Sequence, residues 1–244
     1  MSANLQIGLY GKLPAYGDFI IRHLNSAFTS GWDEWLQQFI SASQEQIGEG
    51  WLEVYLTSPI WQFVISPGVI DSNMWAGIMM PSVDRVGRYF PISIVQPLPA
   101  SESAVSFLMS QGDWYDQLET QCLLALDGEI DADELVGTIA QIEYASLDQY
   151  QATQNLGEAG PIIIGLGGDD NSQTERAVPY LLNAILGSGM ASFSLWKTAG
   201  SELIGPTLFC CQGLPPVSGV AAMLDGQWQL RNWKIPYNLK AMAS

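Results

Sequence analysis

Three short apolar segments in the first hundred residues constrain the fold of this chain most. They are WQFVIS at residues 61–66, WAGIMM at 75–80 and FPISIV at 90–95. Each is rich in aromatic or β-branched residues and is bounded by turn residues, which is the pattern of a buried strand. Because short connections favour antiparallel neighbours, the three segments predict a meander that is at least partly antiparallel.

The connection between the second and third predicted strands carries fixed charge. Residues 80–92 read MPSVDRVGRYFPI, so Asp84, Arg85 and Arg88 lie between apolar segments in a chain with only 9 lysines and arginines. Gly87 permits a tight turn that would aim both arginines. Two interpretations stay open: the arginines are recognition groups, or Asp84 forms an internal salt bridge with one of them that pins the turn. We expect Arg88, beside Gly87, to be functional and Arg85 to be structural.

Motifs in this half of the chain resemble those of the TagF family, also called ImpM, accessory proteins of bacterial type VI secretion systems. The charged loop is preceded, in order, by GLYGKLPAYGDF at 8–19, WDEWL at 32–36, WLEVYLTSPIWQF at 51–63 and a Pro-Gly pair at 67–68. Several motifs in one order are more specific than any single one. The resemblance covers residues 7–98, and residues 99–244 contain no family landmark that we recognise.

The resemblance implies a non-enzymatic, post-translational repressor of type VI secretion system assembly that acts by protein–protein binding. It also implies a component of that system as the partner, with the forkhead-associated scaffold protein of a threonine-phosphorylation pathway as a candidate. Charged residues of the family-like segments are the candidate binding site, because they fall in predicted loops or turns, where binding residues commonly lie. They are Lys12, Asp18, Arg22, Asp84, Arg85 and Arg88.

Two rival functions come from other classes. A phosphate-directed hydrolase or phosphatase could use the cluster of Asp84, Arg85 and Arg88, because arginine suits bidentate phosphate contacts. A structural subunit of the apparatus would instead be present in fixed stoichiometry. Enzyme motifs are otherwise missing: His23 is the only histidine, so any histidine-dependent mechanism would have to use it. We therefore predict no catalytic residues.

Signals for phosphate, metal or cofactor binding also fail on spacing. Gly8 and Gly11 before Lys12 lack the glycine spacing of a phosphate-binding loop, and Gly165, Gly167 and Gly168 fit a tight turn better than a dinucleotide site. The acidic run that begins at Asp127 imitates a calcium loop. However, Ala132 stands where glycine is needed, and Thr138 stands where the terminal glutamate is needed. We predict no metal site and no cofactor.

Charge is distributed very unevenly along the chain. No lysine or arginine lies between Arg88 and Arg176, while that interval carries much of the net charge of −16. Such an anionic surface repels nucleic acid and anionic lipid and would steer a basic protein partner. The alternative is that the carboxylates only keep an apolar protein in solution.

The chain is expected to be cytoplasmic. Its N-terminus has no secretory signal, and the two long uncharged windows at 177–196 and 203–224 are interrupted too densely by glycine and proline to span a membrane. The three cysteines do not form a disulfide framework or a zinc site, so reduced and mostly buried thiols are expected.

The remaining periodicity alternates helices with strands. It predicts a three-layer α/β sandwich, in which helices cover both faces of a mixed β-sheet, within one domain over residues 1–244. Three predicted helix starts are a cap by Ser30 and Asp33, a cap by Asp131 and Glu134, and a capping box of Ser172 and Glu175. The predicted strands beyond the meander are residues 5–10, 161–166, 191–197 and 207–211. The predicted helices are residues 32–47, 49–56 and 217–224, a pair of helices divided at Gly112, one helix after Asp131 and one helix after Ser172.

Overall fold

Seven strands form one sheet with helices on both faces in the computed structural model, which describes residues 6–99, 101–145, 150, 160–166 and 171–237. The strands are β1 (Gly8–Gly11), β2 (Ile20–Arg22), β3 (Trp61–Ile65), β4 (Met74–Met80), β5 (Ile92–Leu98), β6 (Phe193–Thr198) and β7 (Thr207–Gln212). The helices are α1 (Ser26–Ile47), α2 (Trp51–Leu56), α3 (Ala104–Ser110), α4 (Gly112–Leu126), α5 (Ala132–Ile139), α6 (Asn171–Gly189) and α7 (Ala222–Asp225).

The strands lie in the order β2-β1-β5-β4-β3-β6-β7. The predicted meander is confirmed, since β3, β4 and β5 are neighbours, with Phe63 opposite Gly77 and Gly77 opposite Val95. Every strand pairing among the described residues is antiparallel, so the sheet is not mixed as predicted. The helices come in runs between strands, two before β3 and four before β6, and not as single crossovers of the kind that build parallel β–α–β units.

Each face of the sheet has its own core, which confirms the α/β sandwich. Under α1, α2 and α7 the core is aromatic: the ring centroids of Trp32 and Phe63 lie 5.0 Å apart, as do those of Phe63 and Trp196. Buried Trp32 donates its indole N–H to the Ser93 hydroxyl at 3.1 Å, so the polar edge of the ring keeps a partner. The opposite core is mostly aliphatic and lies under α3, α4 and α5.

Two of the three predicted helix starts differ from the structure. α1 begins at Ser26, where the Asn25 side chain accepts the N–H of Phe28 at 2.8 Å, so the predicted cap at Ser30 is wrong. The buried face of this helix already includes Phe28, one turn before the first tryptophan. α6 is described from Asn171 onward, so Ser172 lies within the helix and not at the position before it. The cap at Asp131 is confirmed, because its carboxylate accepts the N–H of Asp133 at 2.9 Å.

Two strand predictions also need correction. Residues 161–166 are irregular, because no described strand lies beside this apolar run, and Ile163 is exposed. β2 was not predicted, because a strand of three residues is too short to show an alternation of apolar and polar residues. The glycine and aspartate turn at 167–170 and Leu5 of the first predicted strand lie outside the described residues.

Neither long uncharged window forms a membrane span. Within the described ranges, no helix is both long enough and apolar enough to cross a bilayer. Cys122, Cys210 and Cys211 are all free thiols, and Cys122 is buried.

Candidate functional site

Two loops leave neighbouring strands side by side and bring most of the candidate residues together. β1 pairs with β5, with Tyr10 opposite Ser93. The loop at 12–19 follows β1, and the loop at 81–91 leads into the start of β5, so the antiparallel pairing places them at the same end of the sheet. The two loops therefore form one surface feature, although they are about seventy residues apart in sequence.

Asp84 is the centre of this arrangement. Its side chain is 0% exposed, and its Oδ2 accepts Lys12 Nζ at 3.0 Å and Arg88 Nε at 2.6 Å. Its Oδ1 accepts two backbone N–H groups, from Val86 at 3.0 Å and from Arg88 at 2.9 Å. One carboxylate thus closes its own turn and ties that turn to the first loop.

These donors decide the protonation state of Asp84. Burial alone would raise the pKa of the carboxyl. The opposing effects are the backbone N–H groups of Arg88 and Val86 and the charged groups of Lys12 and Arg88, which together hold the pKa of Asp84 well below its ordinary value. Asp84 is therefore a fixed anion at every physiological pH.

Lys12 is a buried partner of Asp84 and does not lie on the surface. Its Nζ is 4.9 Å from the centroid of the Phe19 ring, a cation–π contact that adds to the ion pair. Its carbonyl accepts the Ser82 hydroxyl at 2.6 Å, and the Ser82 carbonyl accepts the Tyr55 hydroxyl at 3.0 Å. Lys12 holds the loops together and is not accessible to a partner protein.

The two arginines take opposite positions from those expected. Arg88 serves as the salt-bridge partner that pins the turn, and it also donates through Nη2 to the Gly17 carbonyl. The Arg85 side chain is exposed, and its guanidinium makes no hydrogen bond or ion pair with any residue that the structure describes. A methyl group on Gly17 would lie 3.4 Å from Nη2 of Arg85, so this guanidinium lies against the first loop. Gly87, at a φ of 85°, supplies the predicted tight turn.

Asp18 and Arg22 have separate environments. Asp18 is exposed, and its Oδ1 accepts the N–H of Phe19 at 2.8 Å, which turns the chain toward β2. Arg22 lies in β2 and donates through Nε to Asp133 of α5 at 2.7 Å. The structure therefore joins Lys12, Asp84 and Arg88 directly, places Arg85 and Asp18 on either side of Gly17, and leaves Arg22 bound to a helix.

Three residues of this region were missed by sequence reasoning. Tyr16 accepts the backbone N–H of Arg85 through its carbonyl at 2.8 Å, and its hydroxyl accepts the N–H of Ala132 at 3.1 Å. Phe19 is exposed while its ring packs edge-to-face on Phe90 at 4.8 Å. Val86 is 66% exposed. The sequence feature that could have identified it is its position in a turn between charged residues. The exposed side chains of Asp18, Phe19, Arg85, Val86 and Arg88 are hereafter called the two-loop surface.

No described part of this region offers a metal centre. Among the residues that the structure describes, no group of three or more histidine, cysteine or acidic side chains could hold an ion. His23 lies elsewhere, with Nδ1 3.3 Å from the Ile7 carbonyl. What the two-loop surface can do chemically is present a cation beside apolar side chains on a rigid base.

Comparisons with known proteins agree with this architecture. A family model described as the TagF N-terminal domain, type VI secretion system-associated, matches residues 8–142. The crystal structure of PA0076 from Pseudomonas aeruginosa PAO1 matches with a TM-score of 0.76 and 30% sequence identity, over 98% of this chain and 100% of that chain. No curated protein matches the chain. The family match includes both loops and extends past the motifs recognised in the sequence. Because it covers more than half of the 244 residues, the chain belongs to the TagF family of type VI secretion system-associated proteins.

Proposed function

We propose that this protein is a non-enzymatic, cytoplasmic, post-translational repressor of type VI secretion system assembly, and that it binds a component of the system through the two-loop surface. Family membership supports the association with type VI secretion. The observation that carries the binding site is the exposed Arg85 guanidinium, which has no partner among the described residues, although the chain has a net charge of −16. A cation left unpaired in so acidic a protein is available to an anion from elsewhere.

The surface around Arg85 has the composition of a small recognition site. Exposed Val86 and Phe19 supply apolar contact area, and Arg85 supplies a directional donor. The base beneath them is rigid, because buried Asp84 and Lys12 fix both loops. Ordering these side chains on binding therefore costs little entropy. The chemistry fits a partner segment that combines carboxylate or phosphate groups with apolar side chains, and the forkhead-associated scaffold protein is the first candidate to test.

The geometry speaks against the rival phosphatase. That hypothesis needs Asp84 as an accessible nucleophile or acid, but its side chain is buried and four donors occupy its two oxygens. Its lowered pKa also makes it a poor proton donor. A screen with generic phosphatase and esterase substrates plus divalent metals tests this directly, and turnover that Arg85→Ala abolishes would favour the enzyme.

Deletion of the gene is expected to raise type VI secretion, because a repressor of assembly limits the number of assembled machines. The measurement is the amount of secreted tube protein in culture supernatant from the deletion strain, the parent and the complemented strain. A structural subunit predicts the reverse, so lost secretion in the deletion strain would favour that rival. Unchanged secretion would contradict repression.

Arg85→Ala is expected to abolish repression while the thermal midpoint of unfolding stays within a few degrees, since an exposed side chain costs about 0.5 kcal/mol or less. Arg88→Ala is a less clean test, because it also removes the bonds to Asp84 and Gly17. The matched control is Arg176→Ala on α6, an equally exposed arginine far along the chain. Secretion assays and thermal denaturation check both variants. An Arg85→Ala protein that still represses fully would remove this residue from the site.

A further inference from the structure

One edge of the sheet is protected against pairing with a further strand, and the other edge is open. β2, at the first edge, has three residues and carries the ion pair of Arg22 with Asp133, which are common devices against unwanted strand pairing. β7, at the other edge, is Thr207–Gln212 with the sequence TLFCCQ, which contains neither a charge nor a proline. Leu208 is 61% exposed there.

Hydrogen-bond alternation shows which backbone groups of β7 face outward. The Phe193 carbonyl accepts the backbone N–H of Ser66 at 2.9 Å, and the Phe193 N–H donates to the Ser66 hydroxyl at 2.8 Å, so the backbone of Phe193 faces β3. The backbone of the next residue, Ser194, therefore faces β7. Gly213 donates its N–H to the Ser192 carbonyl at 3.2 Å, which fits the same alternation of residues that face β6 and residues that face outward. Pairing with β6 therefore uses alternate residues of β7, and no described strand pairs with the N–H and C=O groups of the others. The outward residues are Leu208, Cys210 and Gln212.

An apolar stripe of α6 lies on the same face as these outward residues. Cys210 packs against the aliphatic core together with Leu186 of α6 and with Met190, which follows this helix. Val178, Leu182 and Ile185 of α6 are exposed, and their spacing of four and three residues places them on one side of the helix. The open strand edge is thus accompanied by an apolar helix stripe that the described part of the chain leaves exposed.

We infer that β7 pairs with β7 of a second copy of this chain, antiparallel about a twofold axis perpendicular to the sheet, and that the two α6 helices meet across the same axis. A strand at the edge of an antiparallel sheet can pair with its own copy in this way, and an isologous contact uses both features at once. A single extended peptide would cover the edge and leave the stripe exposed.

The lack of charge in α6 and β7 favours self-association at this face. Two copies that each carry a net charge of −16 repel one another. Residues 177–196 and 203–224, which include most of α6 and all of β7, contain no aspartate, glutamate, lysine or arginine. The two uncharged windows, which do not span a membrane, come together in the fold at the margin where repulsion between copies is weakest.

Sedimentation velocity of the purified chain tests the pairing. Across a wide range of protein concentration, the wild type is expected to reach twice the monomer mass of 26.7 kDa. Leu208→Lys is expected to raise the dimer dissociation constant by about a hundredfold, because a lysine on an edge strand opposes strand pairing and each copy would carry one into the apolar contact. Gln212→Lys, also exposed on the edge, is a second variant should the first fold poorly. Leu56→Lys, 49% exposed at the end of α2 on the opposite face of the sheet, is the control that should remain dimeric.

Hydrogen exchange read by NMR distinguishes the edge from other interfaces. The amide hydrogens of Leu208, Cys210 and Gln212 should exchange at least about tenfold more slowly in the dimer than in the Leu208→Lys monomer. Those of Phe209 and Cys211, which bond to β6, should be slow in both. A wild type that stays monomeric at every concentration overturns the inference, as does a dimer whose edge amides exchange rapidly or that survives both lysine variants.

Discussion

Asp84→Asn is expected to lower the thermal midpoint of unfolding by about 10 °C or more, because it removes the one negative partner that the described residues give to a buried lysine. The substitution preserves the shape of the side chain, so the amide oxygen can still accept the two backbone N–H groups. What it removes is the charge that compensates Lys12, whose side chain is 6% exposed. A buried ammonium without a counter-ion is among the largest single destabilising changes available to a domain.

The effect has a defined pH dependence. Folding lowers the pKa of Asp84, so the unfolded chain binds this proton more readily than the folded protein. The stabilisation is therefore fully present above the unfolded pKa of about 3.9 and is lost as pH falls toward the lower pKa of the folded state. The difference in thermal midpoint between wild type and Asp84→Asn should stay constant from neutral pH to about pH 5 and shrink below about pH 4. Taking the difference cancels the other carboxylates, which titrate in both proteins.

A double-mutant cycle supplies the control for this ion pair. Lys12→Met should cost less than Asp84→Asn, because Arg88 still compensates the carboxylate and the methionine fills most of the lysine volume. The double variant should be more stable than the sum of the two single losses predicts, since it leaves no unpaired buried charge. Circular dichroism melts of the four proteins measure the coupling. Strict additivity, or a midpoint difference that persists unchanged at pH 3, would contradict the assignment of this pair.

Local patterns were sufficient to predict the three central strands and the charged turn. Alternate faces of the strands are buried against two different cores, so residues 61–66, 75–80 and 90–95 carried an unbroken apolar signal that only a covered sheet explains. Likewise, an aspartate followed by two arginines across a glycine turn is a local pattern, and the salt bridge of Asp84 with one of these arginines is present, although the partner is Arg88 and not Arg85 as expected.

The roles of the individual charges could not be predicted because they depend on distant contacts. Lys12 is buried only because β1 lies beside β5 and carries its loop to Asp84, 72 residues away. The carbonyl of Gly17 in the first loop accepts Arg88, whereas the Arg85 guanidinium has no partner among the described residues. Strand order decides both, and no periodicity encodes strand order. For the same reason the sequence could not predict that β7 is an edge strand. Its apolar residues resemble those of any buried strand.

Gly11→Ala is expected to destabilise the protein by on the order of 4 kcal/mol, because two independent costs fall on one position. The φ of Gly11 is 137°, a conformation open almost only to glycine. A Cβ at this position would also lie 2.1 Å from the Pro91 carbonyl oxygen and 2.7 Å from the Cα of Ile92. Both obstacles are backbone atoms of the adjacent loop and strand, so no side-chain rotation relieves the clash.

Gly50→Ala separates the two costs of Gly11→Ala. Gly50 also has a positive φ, 87°, in the left-handed region, but a Cβ there meets nothing within 4 Å, so its substitution should cost only about 1 kcal/mol. Equal midpoint losses for the two variants would contradict the predicted clash. Because Gly11 precedes Lys12 and touches the residue before β5, the clash would also separate the loops that carry the two-loop surface. Under the proposed function, Gly11→Ala should therefore lose repression together with cellular abundance, whereas Arg85→Ala should lose repression at full abundance. Immunoblots measure the abundance of each variant, and secretion assays measure its repression. The comparison separates a surface that binds the partner from the scaffold that holds this surface.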